Sequence, residues 1–350
     1  LPQPETSAAP SAPAGPGGAP PLPQSSPIPD KIGEYEVISE VGRGGMGVVY
    51  AAHDTQLDRE VAVKTVRAEN LWFDGARERF AREVTAAARL QHPGIVPIFS
   101  VGEHEGVPYY AMERVDGIGL DELIGSLGNR RPEQLSGVEI DRCLAHRCGR
   151  APLDAEAAKA RFGSTWTNAC LRIGHMAADA LEHAHGHGVL HRDVKPSNLM
   201  LRDDGRVQLV DFGLAMDEML PSLTVAGQFA GTPSYVSPEQ ATAGQVPVDH
   251  RSDVFSLGVT LFEMLTTRLP FEGDTHHAIL ERILTRELAD LAEFDPAASA
   301  DLRGILSKSM ARRADRRYAT AADFAADLRA FMERRPVSAR PVSRLIEPAT

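Results

Sequence analysis

The fold is decided by the stretch His191-Arg192-Asp193-Val194-Lys195-Pro196-Ser197-Asn198. Inside a packed core its two basic side chains, its Asp and its Asn would all need buried hydrogen-bond partners, so we predict a loop. Two short apolar runs follow, 199–201 and 207–210, with the turn Asp203-Asp204-Gly205 between them. The pattern therefore predicts a loop followed by a β-hairpin.

The second strand of this hairpin leads directly into Asp211-Phe212-Gly213. Acidic residues then stand at both ends of the hairpin, which would bring Asp193, Asn198 and Asp211 to one place. Carboxylate and amide oxygens are ligands that suit Mg²⁺, and an Asp and a Lys beside them suit phosphoryl transfer. We therefore predict a magnesium-assisted phosphoryl-transfer site here.

Composition limits the class of protein. The 350 residues are enough for two lobes, and 43% hydrophobic residues is a globular value. The net charge of −11 argues against a nucleic-acid binder, which would usually carry a basic patch. Three cysteines are too few for a disulfide framework, so we expect a reducing, cytoplasmic location. Because no apolar run reaches transmembrane length, a membrane anchor is expected only in segments of a full-length chain outside these residues.

A glycine-rich turn joins the first two predicted strands. These strands are 35–38 and 47–52, and Gly42-Arg43-Gly44-Gly45-Met46-Gly47 connects them. Glycines let a backbone approach a phosphate closely and leave N–H groups free to bind it. A dinucleotide-binding fingerprint would need a helix after the turn, whereas a strand follows, so we predict a phosphate-covering hairpin. A merely tight turn is the alternative.

A single lysine stands in the next predicted strand, 61–66, among small apolar residues. A helix is predicted over 76–90, because apolar residues recur there at i, i+4 and i+7. Glu83 adjoins the apolar face of this helix, where an acid could pair with Lys64 across the helix–sheet interface. The alternative is a solvated Glu83 beside Arg82.

Together these stretches resemble the eukaryotic-type (Hanks-type) serine/threonine protein kinases of bacteria, including planctomycete-like members. The run 191–198 resembles their catalytic loop, with Lys two residues after Asp as in serine/threonine kinases, and 211–213 resembles their magnesium-binding triplet. The resemblance covers about residues 35–333. It implies an α+β, bilobal protein kinase fold, with a β-rich N-lobe carrying one main helix and a mainly helical C-lobe.

The resemblance implies a role for each charged residue of the loop. Asp193 would orient the substrate hydroxyl or accept its proton, and Lys195 would neutralise charge on the transferred group. Asn198 and Asp211 would hold Mg²⁺, with Mn²⁺ as the alternative ion.

An ATP site is implied as well. Lys64, held by Glu83, would bind the α- and β-phosphates under the glycine turn. Apolar side chains would sandwich adenine, and 113–117 would be the hinge between the lobes. The residues implied around ATP are Val41, Gly42, Arg43, Gly44, Gly45, Met46, Gly47, Val48, Val49, Ala62, Lys64, Met112, Glu113, Val115 and Met200.

Three residues are implied to hold the C-lobe together. Glu239 would pair with Arg317, and Asp253 would brace the backbone of the catalytic loop. The helix predicted over 171–188 carries histidines at alternate positions near its end, and we expect them at the surface, where they suit the helix dipole: His183, His185 and His187.

Regulation is implied by Arg192, which precedes the catalytic Asp in kinases controlled by activation-segment phosphorylation. Thr224 lies eight residues before Thr232, the spacing of a usual autophosphorylation site. Thr232 would itself contact the catalytic Asp beneath the substrate. Met216 stands where relatives often place a basic residue, so only moderate activation is expected.

Residues 126–168 interrupt the resemblance. They are polar and weakly periodic, and we expect a structural or mobile insert whose removal leaves a folded kinase. Cys143, His146 and Cys148, with Cys170 later, allow the alternative of a zinc site, although their spacing matches no common zinc module.

We therefore predict transfer of the γ-phosphoryl group of Mg·ATP to Ser or Thr hydroxyls of protein substrates, with autophosphorylation of the activation segment. No nucleic-acid partner is expected, and a homodimer stays open. One alternative is a non-catalytic, ATP-binding pseudokinase scaffold. Another is a small-molecule phosphotransferase of similar fold.

The expected organisation has three parts. Residues 1–30 hold ten prolines and would form a disordered linker. A kinase domain would span 31–335, and 336–350 would form a tail. Within the domain we place the N-lobe at 31–112, the hinge at 113–117 and the C-lobe at 118–335.

Overall fold

The structure is a computed structural model that describes residues 28–44, 47–66, 76–128, 130–212, 233–242, 246–285, 291–293 and 298–339. Four predicted site residues lie outside this part of the chain: Gly45, Met46, Thr224 and Thr232.

The N-lobe is built on an antiparallel sheet with a helix packed against it. The elements are β1 (Lys31–Ile32), β2 (Tyr35–Arg43), β3 (Gly47–Asp54), β4 (Arg59–Val66), α1 (Ala76–Ala87), β5 (Ile98–His104) and β6 (Val107–Glu113). The strands lie in the spatial order β1-β2-β3-β4-β6-β5, and every neighbouring pair is antiparallel. Phe80 and Val84 of α1 are buried against Ala62 and Met112 of the sheet, so the helix covers the same face that carries the predicted adenine site.

Gly47 begins β3, and the packing there requires glycine. A Cβ at this position would lie 1.8 Å from the carbonyl oxygen of Thr65 on the neighbouring strand. The Gly44 N–H also donates to the Gly47 carbonyl oxygen at 2.9 Å, which closes the turn. These contacts therefore hold the start of β3 against the end of β2 and against β4.

The C-lobe is mainly helical. Its elements are β7 (Gly117–Gly119), α2 (Leu120–Leu127), α3 (Gly137–Cys148), α4 (Ala155–Phe162), α5 (Trp166–Gly186), β8 (Leu199–Arg202), β9 (Val207–Leu209), α6 (Pro238–Ala241), α7 (Arg251–Thr266), α8 (His276–Thr285), α9 (Ala300–Ser309) and α10 (Ala321–Met332). Strands β7, β8 and β9 form a second sheet, and the predicted hairpin is its β8–β9 pair. The predicted division into a β-rich N-lobe and a mainly helical C-lobe is confirmed.

Two long helices form the centre of the C-lobe core. The apolar faces of α5 and α7 contribute to one hydrophobic cluster, which also contains the side chains of β8 and β9. The buried indole of Trp166 donates from Nε1 to the Met264 carbonyl oxygen at 2.7 Å, which ties the first turn of α5 to the last turn of α7. Among the described residues no helix has the length and apolar character that a bilayer crossing requires.

The insert supplies part of this core. Ser136 forms a capping box with Glu139 at the start of α3, and Asp154 caps α4. Ile140, Leu144 and Phe162 are buried in the same cluster as α5 and α7. Removal of the insert would expose that core, so the structure argues against the sequence-based expectation that the domain folds without it, and the deletion stays a prediction to be tested.

The zinc alternative for the insert finds no support in the described residues, where no group of three or more His, Cys, Asp or Glu side chains could hold a metal. Cys170 is fully buried in α5, and Cys148 is exposed. The Cys143 Sγ lies 3.0 Å from the Ser126 hydroxyl. The three cysteines thus lie in different surroundings and form no common metal site among the described residues.

The first residues of the predicted tail pack on the domain. The Ser338 N–H and hydroxyl both donate to the Asp327 carboxylate, at 2.7 and 2.8 Å, and Ala339 is buried. The chain is therefore packed against the domain at least to residue 339. The predicted end of the kinase domain at residue 335 stays a prediction.

Candidate active site

The catalytic-loop stretch runs from the end of α5 to β8 and is held from below by α7. The Asp253 carboxylate accepts the His191 N–H at 2.9 Å and the Arg192 N–H at 2.7 Å. Arg192 has a positive φ of 64°, a backbone conformation that costs free energy and needs such support. The contact implied for Asp253 is thus present in the structure.

His185 is the second partner of Asp253. Its Nε2 lies 2.8 Å from Asp253 Oδ2, and the side chains are 7% and 1% exposed. Burial acts to raise the pKa of Asp253, but the contacts of His185 and the nearby His191 leave that pKa below its usual value. His185 lies in the last turn of α5, where a base suits the helix dipole, but it is not at the surface, because this turn packs against the first turn of α7.

Three side chains of the stretch 191–198 form one hydrogen-bond network. Lys195 Nζ lies 2.7 Å from Asp193 Oδ2. The Asn198 amide nitrogen donates to the Asp193 carbonyl oxygen at 2.8 Å and to Asp193 Oδ2 at 2.9 Å. Because Asn198 uses its nitrogen in this way, its amide oxygen is the atom left to face a cation.

Asp211 lies at the other end of the hairpin, where the sequence places it. Its Oδ1 accepts the Tyr110 hydroxyl at 2.8 Å, and its Oδ2 lies 2.8 Å from Lys64 Nζ. Burial acts to raise the pKa of the Asp211 carboxyl, but the Lys64 ammonium lowers it below its usual value. Asp211 is therefore held as a carboxylate, with a positive φ of 57° that marks a constrained position.

The partners of Lys64 and Glu83 differ from those implied by the resemblance. Lys64 pairs with Asp211, while Glu83 Oε1 accepts from Arg192 Nη1 at 3.1 Å. Both α1 and the catalytic loop carry charges that reach the space between the lobes, so the acid of the helix meets the cation of the loop. The structure thus contains the ion pairs Lys64–Asp211 and Arg192–Glu83, and these described residues form no Lys64–Glu83 pair.

A cleft of about 940 Å³ lies between the lobes and contains most of the implied ATP site. Eight of the fifteen residues implied around ATP line it: Val41, Gly42, Val49, Ala62, Met112, Glu113, Val115 and Met200. Asp211, implied as a metal ligand, lines it as well. Val48 does not, because adjacent strand residues face opposite sides, and its side chain packs with Tyr50 in the outer core of the sheet. The Arg43 side chain pairs with Glu40 at 2.6 Å.

Glu239 and Arg317 form the buried pair implied by the resemblance. Arg317 Nη1 and Nη2 donate to the two carboxylate oxygens at 2.6 and 2.8 Å, and the side chains are 0% and 6% exposed. The neighbouring Gln240 donates to the Arg192 carbonyl oxygen at 2.9 Å. This pair therefore anchors the segment that lies against the catalytic loop.

Three contacts of the site were missed by sequence reasoning. Tyr110 shares a strand face with Met112, so alternation could have placed its hydroxyl near the cleft. Burial and the Asp211 carboxylate both raise the pKa of Tyr110, which keeps it a hydrogen-bond donor. His185 and Gln240 gave no signal, because their partners are distant in sequence.

The donor set fits a hard divalent cation and a polyphosphate. Asp211 offers carboxylate oxygens and Asn198 an amide oxygen, and Mg²⁺ commonly takes only one or two protein ligands beside water and phosphate oxygens. Lys64 supplies a cation on the same side of the cleft. A site with this composition is suited to a nucleoside triphosphate and its metal ion.

A sequence model of the protein kinase domain matches residues 35–146 and 153–327. The chain belongs to the protein kinase domain family. Members of this family use ATP and a divalent metal ion and act on proteins. The family match therefore agrees with the donor set of the cleft and with the order of the motifs that line it.

Named relatives support this membership. The chain is 36% identical over 313 residues to a probable serine/threonine-protein kinase of Streptomyces coelicolor, which covers 88% of this chain and 41% of the relative. It is 32% identical over 302 residues to the serine/threonine-protein kinase PrkC of Bacillus subtilis, covering 85% and 40%. The chain thus spans about two fifths of the length of these curated relatives.

A solved structure shows the same fold. The kinase domain of Mycobacterium tuberculosis PknI superposes with a TM-score of 0.63 at 26% identity, covering 85% of this chain and 96% of that one. The predicted bilobal kinase fold is confirmed.

Proposed function

We propose that this chain is a serine/threonine protein kinase that transfers the γ-phosphoryl group of Mg·ATP to hydroxyls of protein substrates. Two observations carry the proposal. Asp193 is held by Lys195 and Asn198 at one end of the β8–β9 hairpin, and Asp211, paired with Lys64, lines the cleft at the other end. The names of the relatives, which are serine/threonine-protein kinases, support it.

Each side chain has a role set by its charge and contacts. Asp193, held by Lys195 and Asn198, would orient the attacking hydroxyl and receive its proton. Lys195 would neutralise charge on the transferred group. Asn198 and Asp211 would hold the metal ion, which when bound supplies positive charge to the phosphate oxygens, and we propose Mg²⁺ as that ion. Preorganised charges of this kind supply most of the catalysis in phosphoryl transfer.

Nucleotide binding would require a change of partners. Lys64 would leave Asp211 for the α- and β-phosphates, and Asp211 would turn its carboxylate to the cation. Glu83 would then be available to Lys64 only if it released Arg192. We propose that the pairing in the structure belongs to a resting state and that the pairing implied by the resemblance belongs to the active one.

A pseudokinase scaffold is the second candidate, and one experiment separates the two. Purified chain is incubated with γ-labelled ATP, Mg²⁺ and a generic basic protein, in parallel with Asp193→Ala. We expect label on protein with the wild type and a loss of at least about a hundredfold with the variant, which lacks the group that handles the hydroxyl proton. Nucleotide binding without any transfer by the wild type would support the scaffold instead.

A further inference from the structure

The residues that join α3 to α4 lie outside the family match yet border the nucleotide cleft. The match ends at residue 146 and resumes at 153, and we call residues 147–152 the rim segment. Arg147 and Cys148 line the same cleft as Met112 and Met200. The rim segment thus lies outside the matched ranges, and its first two residues border the proposed ATP site.

The rim segment has a defined conformation. Helix α3 ends at Cys148, and Gly149 takes a left-handed backbone with φ 66°. The Arg150 N–H then donates to the Ala145 carbonyl oxygen at 3.0 Å, which folds the chain back on the helix. This reversal directs Arg150 toward the β8–β9 turn.

Arg150 links the insert to the hairpin. Its Nη2 donates to Asp141 Oδ1 at 2.7 Å, and its Nε donates to Asp203 Oδ1 at 2.6 Å. Asp141 is 1% exposed, and its second oxygen accepts the Leu153 N–H at 2.7 Å, so this end of the link is fixed. Arg161 of α4 adds a hydrogen bond to the Asp203 carbonyl oxygen at 3.1 Å.

Asp203 is where this link meets the proposed active site. It lies in the turn between β8 and β9 and also lines the cleft. Strand β8 carries Met200, and the chain on either side of the hairpin carries Asn198 and Asp211. A constraint on Asp203 therefore acts on the strand that forms the floor of the cleft.

We propose that the rim segment is a nucleotide-positioning element, in which Arg150 fixes the β8–β9 turn and residues 147–148 border the adenine–ribose end of bound ATP. Arg150 is a positioning residue, since it acts through Asp203. The proposal rests on the kinase function proposed above. It predicts that breaking the link weakens nucleotide binding while the transfer step at Asp193, at the far end of the hairpin, is kept.

Asp203→Ala is the decisive variant, because it releases the hairpin while the buried Asp141–Arg150 pair stays intact. We expect the Kd and KM for Mg·ATP to rise about tenfold, equivalent to about 1.4 kcal/mol, with kcat changed less than about twofold. Arg150→Ala should give a similar rise, and the double variant should add little to either. Arg142→Ala is the matched control, because Arg142 is an exposed arginine of the preceding helix α3 whose only described ion pair is with Glu139.

Cys148 provides a readout that does not depend on activity. It is the exposed cysteine of the described chain, and Mg·ATP should slow its reaction with a thiol reagent, with Cys148→Ser as the blank. If wild type binds no Mg·ATP, the proposed function fails and this inference with it. If wild type binds Mg·ATP, but Asp203→Ala binds it equally well and Cys148 is not protected, the rim proposal alone is overturned. A lower Tm for Arg150→Ala with unchanged KM in Asp203→Ala would likewise overturn it, because the link would then be only structural.

Discussion

Glu239→Gln tests the buried ion pair that anchors the C-lobe. The wild-type carboxylate accepts two hydrogen bonds from Arg317 and one from the Ser252 hydroxyl at 2.5 Å. The guanidinium also donates to three carbonyl oxygens, so it cannot move to another acceptor without breaking those bonds. Gln keeps the shape and one acceptor oxygen but leaves the buried guanidinium without its counter-charge.

The expected cost follows from burial. Removing one partner of a buried pair costs about 3–5 kcal/mol, and the retained acceptor of Gln places this variant near about 3 kcal/mol. For a domain of this size about 1 kcal/mol shifts Tm by roughly 2–4 °C, so the expected fall in Tm is about 6–12 °C. Thermal unfolding followed by circular dichroism measures it, and urea titration gives the free energy of unfolding independently.

The pH dependence gives a further check with a defined sign. Burial acts to raise the pKa of Glu239, but Arg317 lowers it below its usual value in the folded chain. The pair therefore stabilises the fold fully above the ordinary glutamate pKa of about 4.3, and the contribution is lost as pH falls through the lower, folded pKa. The stability difference between wild type and variant should shrink over that acidic range.

Glu281→Gln, an exposed acid of α8, is the matched control and should leave Tm within about 1 °C. If Glu239→Gln unfolds within about 1 °C of the wild type, the argument from burial and counter-charge is refuted. An equal fall in Tm for Glu239→Gln and Glu281→Gln would instead show a general effect of the net charge.

Three further predictions concern the active site, the insert and the activation segment. Asp211→Ala should weaken Mg·ATP binding at least about tenfold, because it removes a proposed metal ligand, whereas Asp193→Ala should bind nearly as wild type; calorimetric titration of both variants tests the contrast, and equal affinities would contradict it. Deletion of residues 126–165 with a short linker should abolish cooperative thermal unfolding, since the insert supplies core, and a sharp transition at the wild-type Tm would contradict this. Incubation with Mg·ATP should phosphorylate Thr224, which peptide mass spectrometry detects, and Thr224→Ala should lower activity a few-fold; full activity in that variant would refute regulation at this site.

The regular elements could be predicted because their periodicity is local. The helix predicted over 171–188 is found as α5 (Trp166–Gly186), and the strand predicted over 61–66 is found as β4 (Arg59–Val66). The first strand was predicted over 35–38 but extends through Tyr35–Arg43. Its outer part carries exposed residues on both faces, so the sequence lacks the alternation that marks a half-buried strand.

The two helices of the insert were not predicted from the sequence, because they bury few apolar residues. Helix α3 presents mainly Ile140 and Leu144 to the core, and α4 presents Ala158 and Phe162. A helix whose apolar face is this narrow is hard to distinguish from a polar loop by the periodicity of its sequence alone. The capping box of Ser136 with Glu139 was the available signal of a helix start.

The pairing of charges in the site is the part that the sequence could not determine. Lys64, Arg192, Glu83 and Asp211 lie on four different elements that meet between the lobes. Lys64 pairs with Asp211 in the structure, whereas the resemblance implies a pair with Glu83. The local sequence around Lys64 is the same for either partner, so it cannot decide between them. The choice depends on where α1 lies relative to the catalytic loop and on whether phosphates and a cation occupy the cleft. A bound polyphosphate would draw Lys64 away from Asp211, and a bound cation would take over the Asp211 carboxylate. The charges of the bound ligand would then decide whether Lys64 pairs with Asp211 or with Glu83. The sequence motifs therefore identify the charged residues of the site, whereas the structure is needed to show which of them pair.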